Sequence, residues 1–345
     1  MMRDRLRAAV ARYAPDGYSV ALVGMVALAS VLPLRGGIAA GFGVATNVAI
    51  ALLFFLHGAR LPREAVIAGV THWRLHLVVL CATFVLFPVL GVVTQPIVAL
   101  ILAPPLALGV LFVCLLSSTV QSSIAFTSIA GGNVAAAVCS ASASNLLGIV
   151  LTPLLASLLI SGQGVVVSVD EIGAIVVQLL LPFLAGQVMR RWIGDWLARH
   201  KKLIGFVDRG SILMVVYGAF SAAVSHGLWR QLSITTLVEL LLIEAVMLGI
   251  VLAATTWGSR WLGFGHEDEI AIVFCGSKKS LASGVPIASV LFPAASVGLI
   301  VLPLMLFHQI QLMACAALAR RYAWRKSRAA PVMTSGTSGS VEVVS

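Results

Sequence analysis

Charge is scarce in this sequence. Only 10% of the 345 residues are Asp, Glu, Lys or Arg, whereas 60% are hydrophobic, and the mean hydropathy is +1.04. Soluble domains have about 25% charged and 45–50% apolar residues, so a soluble fold is excluded and most of the chain must face lipid. The apolar runs are too long and too continuous for a membrane β-barrel. The composition therefore predicts an all-α polytopic membrane protein.

Paired cysteines are also missing. The five cysteines stand singly in apolar runs, at Cys81, Cys114, Cys139, Cys275 and Cys315. They form no CxxC pair, disulfide framework or zinc pattern, so we interpret them as small packing residues. His72 and His76 have the helical spacing of metal ligands, but no other ligand stands near them, and we interpret them as structural. We therefore expect no cofactor and no metal.

Ten segments are apolar over roughly the 20 residues that a membrane-spanning helix requires. They are residues 18–34, 38–57, 75–95, 102–128, 133–160, 171–189, 205–226, 232–256, 269–291 and 296–319. The first segment follows the Arg-rich residues 1–12 and also has the pattern of a cleavable signal peptide, whose removal would leave nine spans. We favour ten. We expect residues 1–17 to be a cytoplasmic segment and residues 321–345 a basic, then disordered, cytoplasmic tail.

Basic residues are concentrated on one side of the predicted membrane. Nineteen of the 23 fall in residues 3–12, 60–74, 190–209 and 320–328 or at Arg260, which share one side if the N-terminus is inside. This positive-inside pattern predicts a bacterial-type inner (plasma) membrane protein with both termini cytoplasmic. The net charge of +10 is then a topology signal, and we expect no nucleic acid partner.

A linker of small and acidic residues, 161–171, divides the ten spans into two sets of five. Because each set has an odd number of spans, the second set enters the membrane from the opposite side. Short echoes support a repeat, such as "IVLTPLL" at 149–155 and "IVLPLML" at 300–306. The sequence thus predicts two inverted five-helix repeats, residues 18–160 and 172–320.

The fourth and ninth spans contain polar residues where lipid-facing side chains are expected. The fourth includes "LLSSTVQSSIAFTSIAGGN" and the ninth "CGSKKSLASGVP". Paired interruptions at matching positions of two repeats indicate a transport site, because backbone groups freed at mid-membrane are tolerated only around a polar cavity. We therefore predict that helices 4 and 9 are broken. The alternative is that the Ser and Thr side chains bond to their own helix backbone.

Two motifs resemble the bile acid:sodium symporter family. "AGGNVAAAVCSASASNLLGIVLTPLLASLL" (130–159) is similar to the junction of its spans 4 and 5. "CGSKKSLASGVPIASVLF" (275–292) is similar to span 9 of its bacterial branch of symporter-like proteins. The resemblance covers essentially the whole chain. It implies a panel domain and a core domain, broken helices 4 and 9 that cross near the midplane, and transport by alternating access.

The chain departs from the family at the sodium sites. In sodium-coupled members, span 9 carries a glutamate and, four residues on, a glutamine; the resemblance places Phe274 and Lys278 at those positions. Ser122 and Ser123 match in span 4, but Ile124 stands where an asparagine is usual. After Glu269, the first residue of span 9, neither span 9 nor span 10 contains an Asp or a Glu. Because sodium requires oxygen ligands and negative charge, we expect no sodium coupling through these sites.

Lys278 and Lys279 are the only Lys or Arg residues predicted to lie deep inside a span, since Arg209 stands near the start of the span 205–226. Ionisable residues at mid-span cost about 2.5–3.5 kcal/mol each, which makes them candidates for function. A lysine there would replace the missing sodium ion, exchange a proton and so couple transport to H⁺, or bind an anionic solute. If span 9 were shifted, both lysines would instead reach water. We expect Lys278 to substitute for the ion and Lys279 to line or brace the cavity.

The other candidates for the substrate or ion pathway are polar residues of the spans. They are Ser277, Ser280, Gln121, Ser122, Ser123, Asn133, Asn145, Glu244 and His308. Glu244 is the deeper acid of span 8, and we predict it to be the countercharge of the lysines. His308 would line the cavity with Gln311, or be a packed histidine. The acids of "HEDE" (266–269) are expected to complement a helix N-terminus, with a cation sensor as the alternative.

Together with the resemblance, these observations predict a secondary transporter of a small organic, anionic solute, and H⁺ coupling through a span 9 lysine is one of the coupling alternatives. Its partners would be that solute and the lipid bilayer. A second hypothesis, from the resemblance, is a transporter-like membrane regulator or sensor of cation (calcium) homeostasis. An intramembrane enzyme with Ser277 or Ser280 as nucleophile is disfavoured, because no acid–base partner or cofactor motif accompanies either serine.

Overall fold

The computed structural model describes residues 17–60, 72–160 and 169–329. Within these ranges all regular secondary structure is helical. The helices are α1 Gly17–Val31, α2 Gly36–Arg60, α3 Trp73–Ile101, α4 Pro104–Leu115, α5 Gln121–Ala130, α6 Val134–Ile160, α7 Val169–Arg199, α8 Lys201–Ser225, α9 Leu228–Gln231, α10 Ile234–Trp261, α11 His266–Gly276, α12 Leu281–Leu291 and α13 Ala294–Ala329. The predictions for the N-terminal segment, most of the linker and the end of the tail fall outside these ranges.

Seven helical stretches in the described ranges are long and apolar enough to cross a membrane. They are α2, α3, α6, α8, α10, the α11–α12 pair and α13. The all-helical class is thus confirmed. The inverted symmetry remains a prediction. So does the count of ten spans, because α1, α4 and α5 are each shorter than the roughly 20 residues that cross a bilayer and α7 is not among the seven.

The helices in the fourth and ninth predicted spans are broken, as expected from the sequence. Residues 116–120 separate α4 from α5, and residues 277–280 separate α11 from α12. Leu116 ends α4 with an extended backbone, and Ser280 is extended before α12. The Ser280 Oγ then caps α12 by accepting the Ser283 N–H. The α11–α12 pair is buried along almost its whole length, so the backbone groups freed by its break are shielded from lipid.

The helices pack in two groups. The four-helix group is α1, α2, α7 and α8, and the broken-helix group contains both breaks together with α3, α6, α10 and α13. Two glycines bring α2 and α7 into backbone contact. A Cβ at Gly58 would lie 2.0 Å from the Phe183 O, and a Cβ at Gly186 would lie 2.0 Å from the Phe55 O. α8 also contacts α12 and α13, so it connects the two groups.

The basic segment 190–209, which includes the predicted connection between the spans 171–189 and 205–226, is helical. The ends of α7 and α8 cover it, with only His200 between them. The cause is tertiary packing, because Leu197 and Ile204 are buried together against the end of α2. The basic residues of this segment therefore lie on two helix ends and not on a loop.

Candidate functional site

The two helix breaks lie against each other. The Ser280 N–H donates a hydrogen bond to the Ser117 O at 2.9 Å. The Ser118 Oγ donates to the Cys275 O, near the end of α11, at 2.5 Å. The hydroxyls of Ser117 and Ser283 are 3.1 Å apart. The Ser117 and Ser118 side chains thus bond to the opposite span, which excludes for them the alternative of bonding only to their own helix.

Side chains from neighbouring helices pair further backbone groups at the breaks. The Phe274 O accepts the Ser123 Oγ–H at 2.9 Å. Gln311 of α13 holds both backbone groups of Lys279, since its Oε1 accepts the N–H and its Nε2 donates to the carbonyl, each at 2.8 Å. These bonds stabilise the broken segments, because an unpaired backbone group in a lipid-like interior would cost several kcal/mol.

The Lys279 ammonium lies among three backbone carbonyl oxygens. Its Nζ is fully buried and donates to the carbonyls of Thr83, Cys114 and Leu116 at 2.9, 2.9 and 2.7 Å. The centre of the Phe87 ring lies 4.1 Å from Nζ, within cation–π distance. All three N–H groups are therefore used, and the ammonium lies among the kind of oxygen ligands that a hard metal cation prefers.

The Thr83 carbonyl is available because α3 contains a π-helical turn, Ala82–Leu86. The Phe87 N–H bonds to the Ala82 O, so it does not reach the Thr83 O. The next residue is Pro88, which has no N–H to donate. The π turn and the proline together leave one carbonyl of α3 without a helical partner, at the place that the ammonium reaches.

Lys278 has far fewer partners, although it is equally buried. Its Nζ donates to the Ser122 Oγ at 3.2 Å, its one hydrogen-bond acceptor in the described part of the chain. The ring centres of Phe126 and Phe274 lie 4.5 and 5.9 Å from Nζ. Two of its N–H groups therefore face aromatic rings or apolar groups and no oxygen acceptor.

The contacts of the two lysines differ from those expected. Lys279, expected to line or brace the cavity, is enclosed by carbonyls as a bound ion would be, whereas Lys278 is not. The two adjacent side chains reach different helices: Lys279 contacts carbonyls of α3 and α4, and Lys278 contacts Ser122 of α5. Both lysines are 0% exposed, so the alternative in which they reach water is wrong.

Glu244 is buried in α10, but it is not the countercharge of either lysine. Only 1% of its surface is exposed, and neither carboxylate oxygen has a hydrogen-bond partner among the described residues. The predicted pairing is wrong because the carbonyls freed at the π turn and at the end of α4 already supply negative dipole ends to Lys279.

A cavity of about 390 Å³ lies beside the breaks, between the two helix groups. The predicted pathway residues that line it are Gln121, Ser122, Asn145, Ser280 and His308. Those that are buried without lining it are Ser123, Ser277, Lys278, Lys279 and Glu244. Lys278 lies directly behind the wall, because its hydrogen-bond partner Ser122 faces the cavity.

Several other predicted residues have structural roles. Asn133 does not line the cavity: its Oδ1 accepts an N–H in the first turn of α6, and its Nδ2 donates to the Asp268 Oδ1 at 2.8 Å. The "HEDE" acids occupy the first turn of α11, as predicted, and Glu269 forms an ion pair with Arg260 at 2.8 Å. The His76 Nδ1 lies 2.7 Å from a serine hydroxyl of α6, consistent with a structural histidine.

The opposite wall of the cavity was not expected from the sequence. It includes Tyr18, His57, Arg60, Asp208 and Arg209, which come from α1, α2 and α8. Basic residues such as Arg60 and Arg209 are expected near span ends from the positive-inside pattern alone. Their charge therefore does not by itself indicate a binding site. Asp208, an acid in a basic segment, is the feature that could have indicated this wall.

Broken helices that meet beside a polar cavity are how many membrane transporters bind their solutes. The fold and the site therefore define the chain as a helical, multi-pass membrane transporter. Residues 16–324 match the SBF-like CPA transporter family, and the chain belongs to this family. Such proteins move small-molecule solutes within a lipid environment and are not enzymes.

Relatives extend over most of the chain. It is 56% identical over 328 residues to an uncharacterized protein of Pseudomonas aeruginosa, covering 95% of this chain and 98% of that one. It is 54% identical over 307 residues (89% and 92%) to YfeH of Escherichia coli, which is named provisionally as a symporter. It is 30% identical over 269 residues (77% and 79%) to sodium/bile acid cotransporter 7 of Mus musculus. The resemblance to the bile acid:sodium symporter family is confirmed, and a transporter is favoured over a regulator.

Proposed function

We propose that the chain is a secondary active transporter that moves a small organic anion by alternating access, with its own Lys279 in place of a sodium ion. The observation that carries this proposal is the set of three carbonyl oxygens at 2.7–2.9 Å from the Lys279 Nζ. In transporters with broken helices, unwound carbonyls of this kind coordinate the coupling ion. A tethered ammonium would stabilise the meeting of the two breaks without any ion from solution.

The proposal includes two inverted repeats of five spans. The α4–α5 and α11–α12 pairs would be the fourth helices of their repeats, and their contact at the breaks supports this arrangement. We also propose an inner-membrane location with both termini cytoplasmic. Support comes from the basic residues at the ends of α2, α7 and α13.

Side chains at the breaks support independence from sodium. Phe274, where a sodium-coupled relative would carry an acid, packs against the rings of Phe126 and Tyr322 at 5.9 and 6.2 Å between centroids. The ion pairs of Arg60 with Asp208 and of Arg260 with Glu269 lie away from the breaks. A sodium ion at the breaks would be repelled by the buried Lys279 ammonium, which forms no ion pair with a carboxylate of the described residues.

Lys278 is the residue that we propose to exchange a proton. Its partner, the Ser122 hydroxyl, can accept from an ammonium or donate to a neutral amine, so either state of the lysine keeps one hydrogen bond. The Ser122 Oγ lies 2.8 Å from the Thr119 Oγ1, and both residues line the cavity. The thiols of Cys275 on α11 and Cys315 on α13 lie close enough to interact electrostatically with Lys278. Lys279 has no such freedom, because a neutral amine would turn its lone pair towards a carbonyl oxygen.

The cavity supports an anionic solute. Its ionisable lining consists of two arginines, one aspartate, two histidines and one tyrosine. Because Arg60 neutralises Asp208, the second arginine leaves an excess of positive charge. Apolar residues such as Leu146 and Phe183 share the lining, and a cavity of about 390 Å³ suits a small organic molecule.

Uptake by the purified protein in liposomes tests the proposal. The probe is taurocholate, chosen because a relative is named for bile acid cotransport and because its sulfonate stays charged as the pH is varied. We expect uptake above that of protein-free liposomes, driven by an imposed H⁺ gradient and indifferent to an imposed Na⁺ gradient. Uptake that requires the Na⁺ gradient would contradict the tethered-ammonium mechanism. No uptake under any gradient would contradict transport of this class of solute.

A further inference from the structure

The cavity wall formed by α1, α2 and α8 contains charged groups that take no part in the roles proposed for Lys278 and Lys279. Asp208 is 7% exposed and accepts a hydrogen bond from the Arg60 Nη2 through its Oδ2, at 2.5 Å. Its other oxygen, Oδ1, is buried and has no hydrogen-bond partner among the described residues. The Arg60 Nε donates to the Leu56 O at 3.0 Å, so the guanidinium is held in place with some of its N–H groups still uncommitted.

Arg209 differs from Arg60 in having no carboxylate partner. In the ranges that the structure describes, its guanidinium has neither an ion pair nor a hydrogen bond; it lies 5.5 Å from the centre of the Tyr18 ring. The side chain is exposed and lines the cavity. A guanidinium laid near an aromatic face is pre-oriented, which reduces the entropy lost when it binds an anion through two N–H groups.

We infer that this wall binds the acidic group, a carboxylate or a sulfonate, of the solute, with Arg209 as the main anchor and Arg60 as the second. The inference rests on the proposed function, since it assigns the recognition of the solute's charge within the same cavity. Asp208 competes with the solute for Arg60, so the aspartate weakens anion binding and makes it reversible. The apolar body of the solute lies against the opposite wall, which includes Ile124 and Leu281.

An organic cation fits this wall less well. The free oxygen of Asp208 is buried, and the carboxylate charge is already offset by Arg60. A cation that reached Asp208 would also lie near Arg209, the next residue along α8. Repulsion from that guanidinium would oppose its binding, whereas it would attract an anion.

Equilibrium binding to the full chain in lipid nanodiscs tests the inference. Three probes share one ring system and differ in charge: naphthalene-2-sulfonate, naphthalene-2-sulfonamide and trimethyl(naphthalen-2-yl)ammonium. Empty nanodiscs correct for partition into lipid. The variants are Arg209→Gln, Asp208→Asn and Arg230→Gln; the last is a matched control, because Arg230 is exposed and does not line the cavity.

We expect wild type to bind the sulfonate about tenfold more tightly than the sulfonamide. Arg209→Gln should weaken sulfonate binding about tenfold and leave the affinity for the sulfonamide unchanged. Arg230→Gln should change neither affinity. Asp208→Asn should strengthen sulfonate binding about threefold, because it removes the competitor. Equal binding of sulfonate and sulfonamide, preference for the ammonium probe, or an Arg209→Gln variant that behaves like the control would overturn the inference.

The thermal stability of each variant distinguishes lost binding from lost folding. Arg209 is exposed, so Arg209→Gln should keep the wild-type melting temperature even if Asp208→Asn does not. Liposome uptake separates this inference from the proposed function. If taurocholate uptake persists while Arg209→Gln binds the sulfonate as wild type does, only the inference fails. If the binding pattern holds without any uptake, the anion site stands and the transporter proposal fails.

Discussion

The breaks at residues 116–120 and 277–280 are built from opposite kinds of groups. The first offers carbonyls and hydroxyls and has no charged residue, whereas the second contains two lysines. Carbonyls at the end of α4 accept the Lys279 ammonium, and the Ser118 hydroxyl bonds to the carbonyl of Cys275. The difference shows how two broken helices can stabilise each other in a buried, apolar interior, because the donors of one break match the acceptors of the other.

The sharpest test of this comparison removes the ammonium. In Lys279→Ala three carbonyls lose their donor, and an unsatisfied buried group costs about 1–3 kcal/mol, so we expect the free energy of unfolding to fall by about 3 kcal/mol. A lower melting temperature of the purified protein would show this loss. n-Propylammonium contains the atoms that the substitution removes, and we expect it, but not propan-1-ol, to restore part of the melting temperature.

Lys278→Ala is the matched control, because Lys278 is equally buried but has one hydrogen-bond acceptor. Its loss of stability should be smaller, about 1 kcal/mol, and propylammonium should not reverse it. Equal losses in the two variants, or rescue of the Lys278 variant alone, would contradict the assignment of Lys279 as the ion-like group.

The second test concerns the proton. Lys278→Met keeps the length of the side chain but removes its titration, so we expect taurocholate uptake to lose its response to an H⁺ gradient while the protein stays folded. Ser122→Ala should weaken the same response, because the hydroxyl connects the amine to the cavity. A full H⁺ response in Lys278→Met would show that the proton is carried elsewhere.

The smallest effect is expected at a single hydroxyl between the breaks. Ser118→Ala removes the bond to the Cys275 O and should lower the free energy of unfolding by about 1 kcal/mol. Ser225→Ala is the control, since the Ser225 Oγ bonds only within its own helix, to the Ser221 O. Its change should stay within about 0.5 kcal/mol. Chemical denaturation of both variants measures the difference, and an equal change in the two would argue against a bond that joins the breaks.

Much of the helical architecture follows from local sequence. The long apolar stretches predict the long helices, and the dense Ser, Gly and Lys composition of spans 4 and 9 predicts their breaks, because polar groups at that depth require polar partners. The acids of "HEDE" mark the start of α11, where they complement the helix dipole. The charges of segment 190–209 indicate an exposed connection between spans. In the structure this segment forms the ends of two helices, because Leu197 and Ile204 are buried against α2.

The assignment of the two lysines could not be made from the sequence. Both are adjacent, chemically identical and equally buried, and they differ only in which neighbouring helix each side chain reaches. That difference depends on the π turn of α3, which frees the Thr83 carbonyl, and on where α4 ends. The sequence likewise cannot show that the Glu244 carboxylate lacks a hydrogen-bond partner among the described residues, because only tertiary packing decides which acid lies near which base.

By itself, the sequence determined that this protein is a helical membrane protein, where two of its helices are interrupted and which charges those interruptions contain. These features depend on hydrophobicity and on polar groups at known positions along the chain. Only the tertiary structure decided that Lys279 fills a set of carbonyls, that Lys278 faces a hydroxyl of the cavity wall, and that Arg209 and Asp208 form the opposite wall. The reason is that hydrogen bonds and ion pairs act over a few ångströms, between residues that the fold brings together from distant parts of the chain.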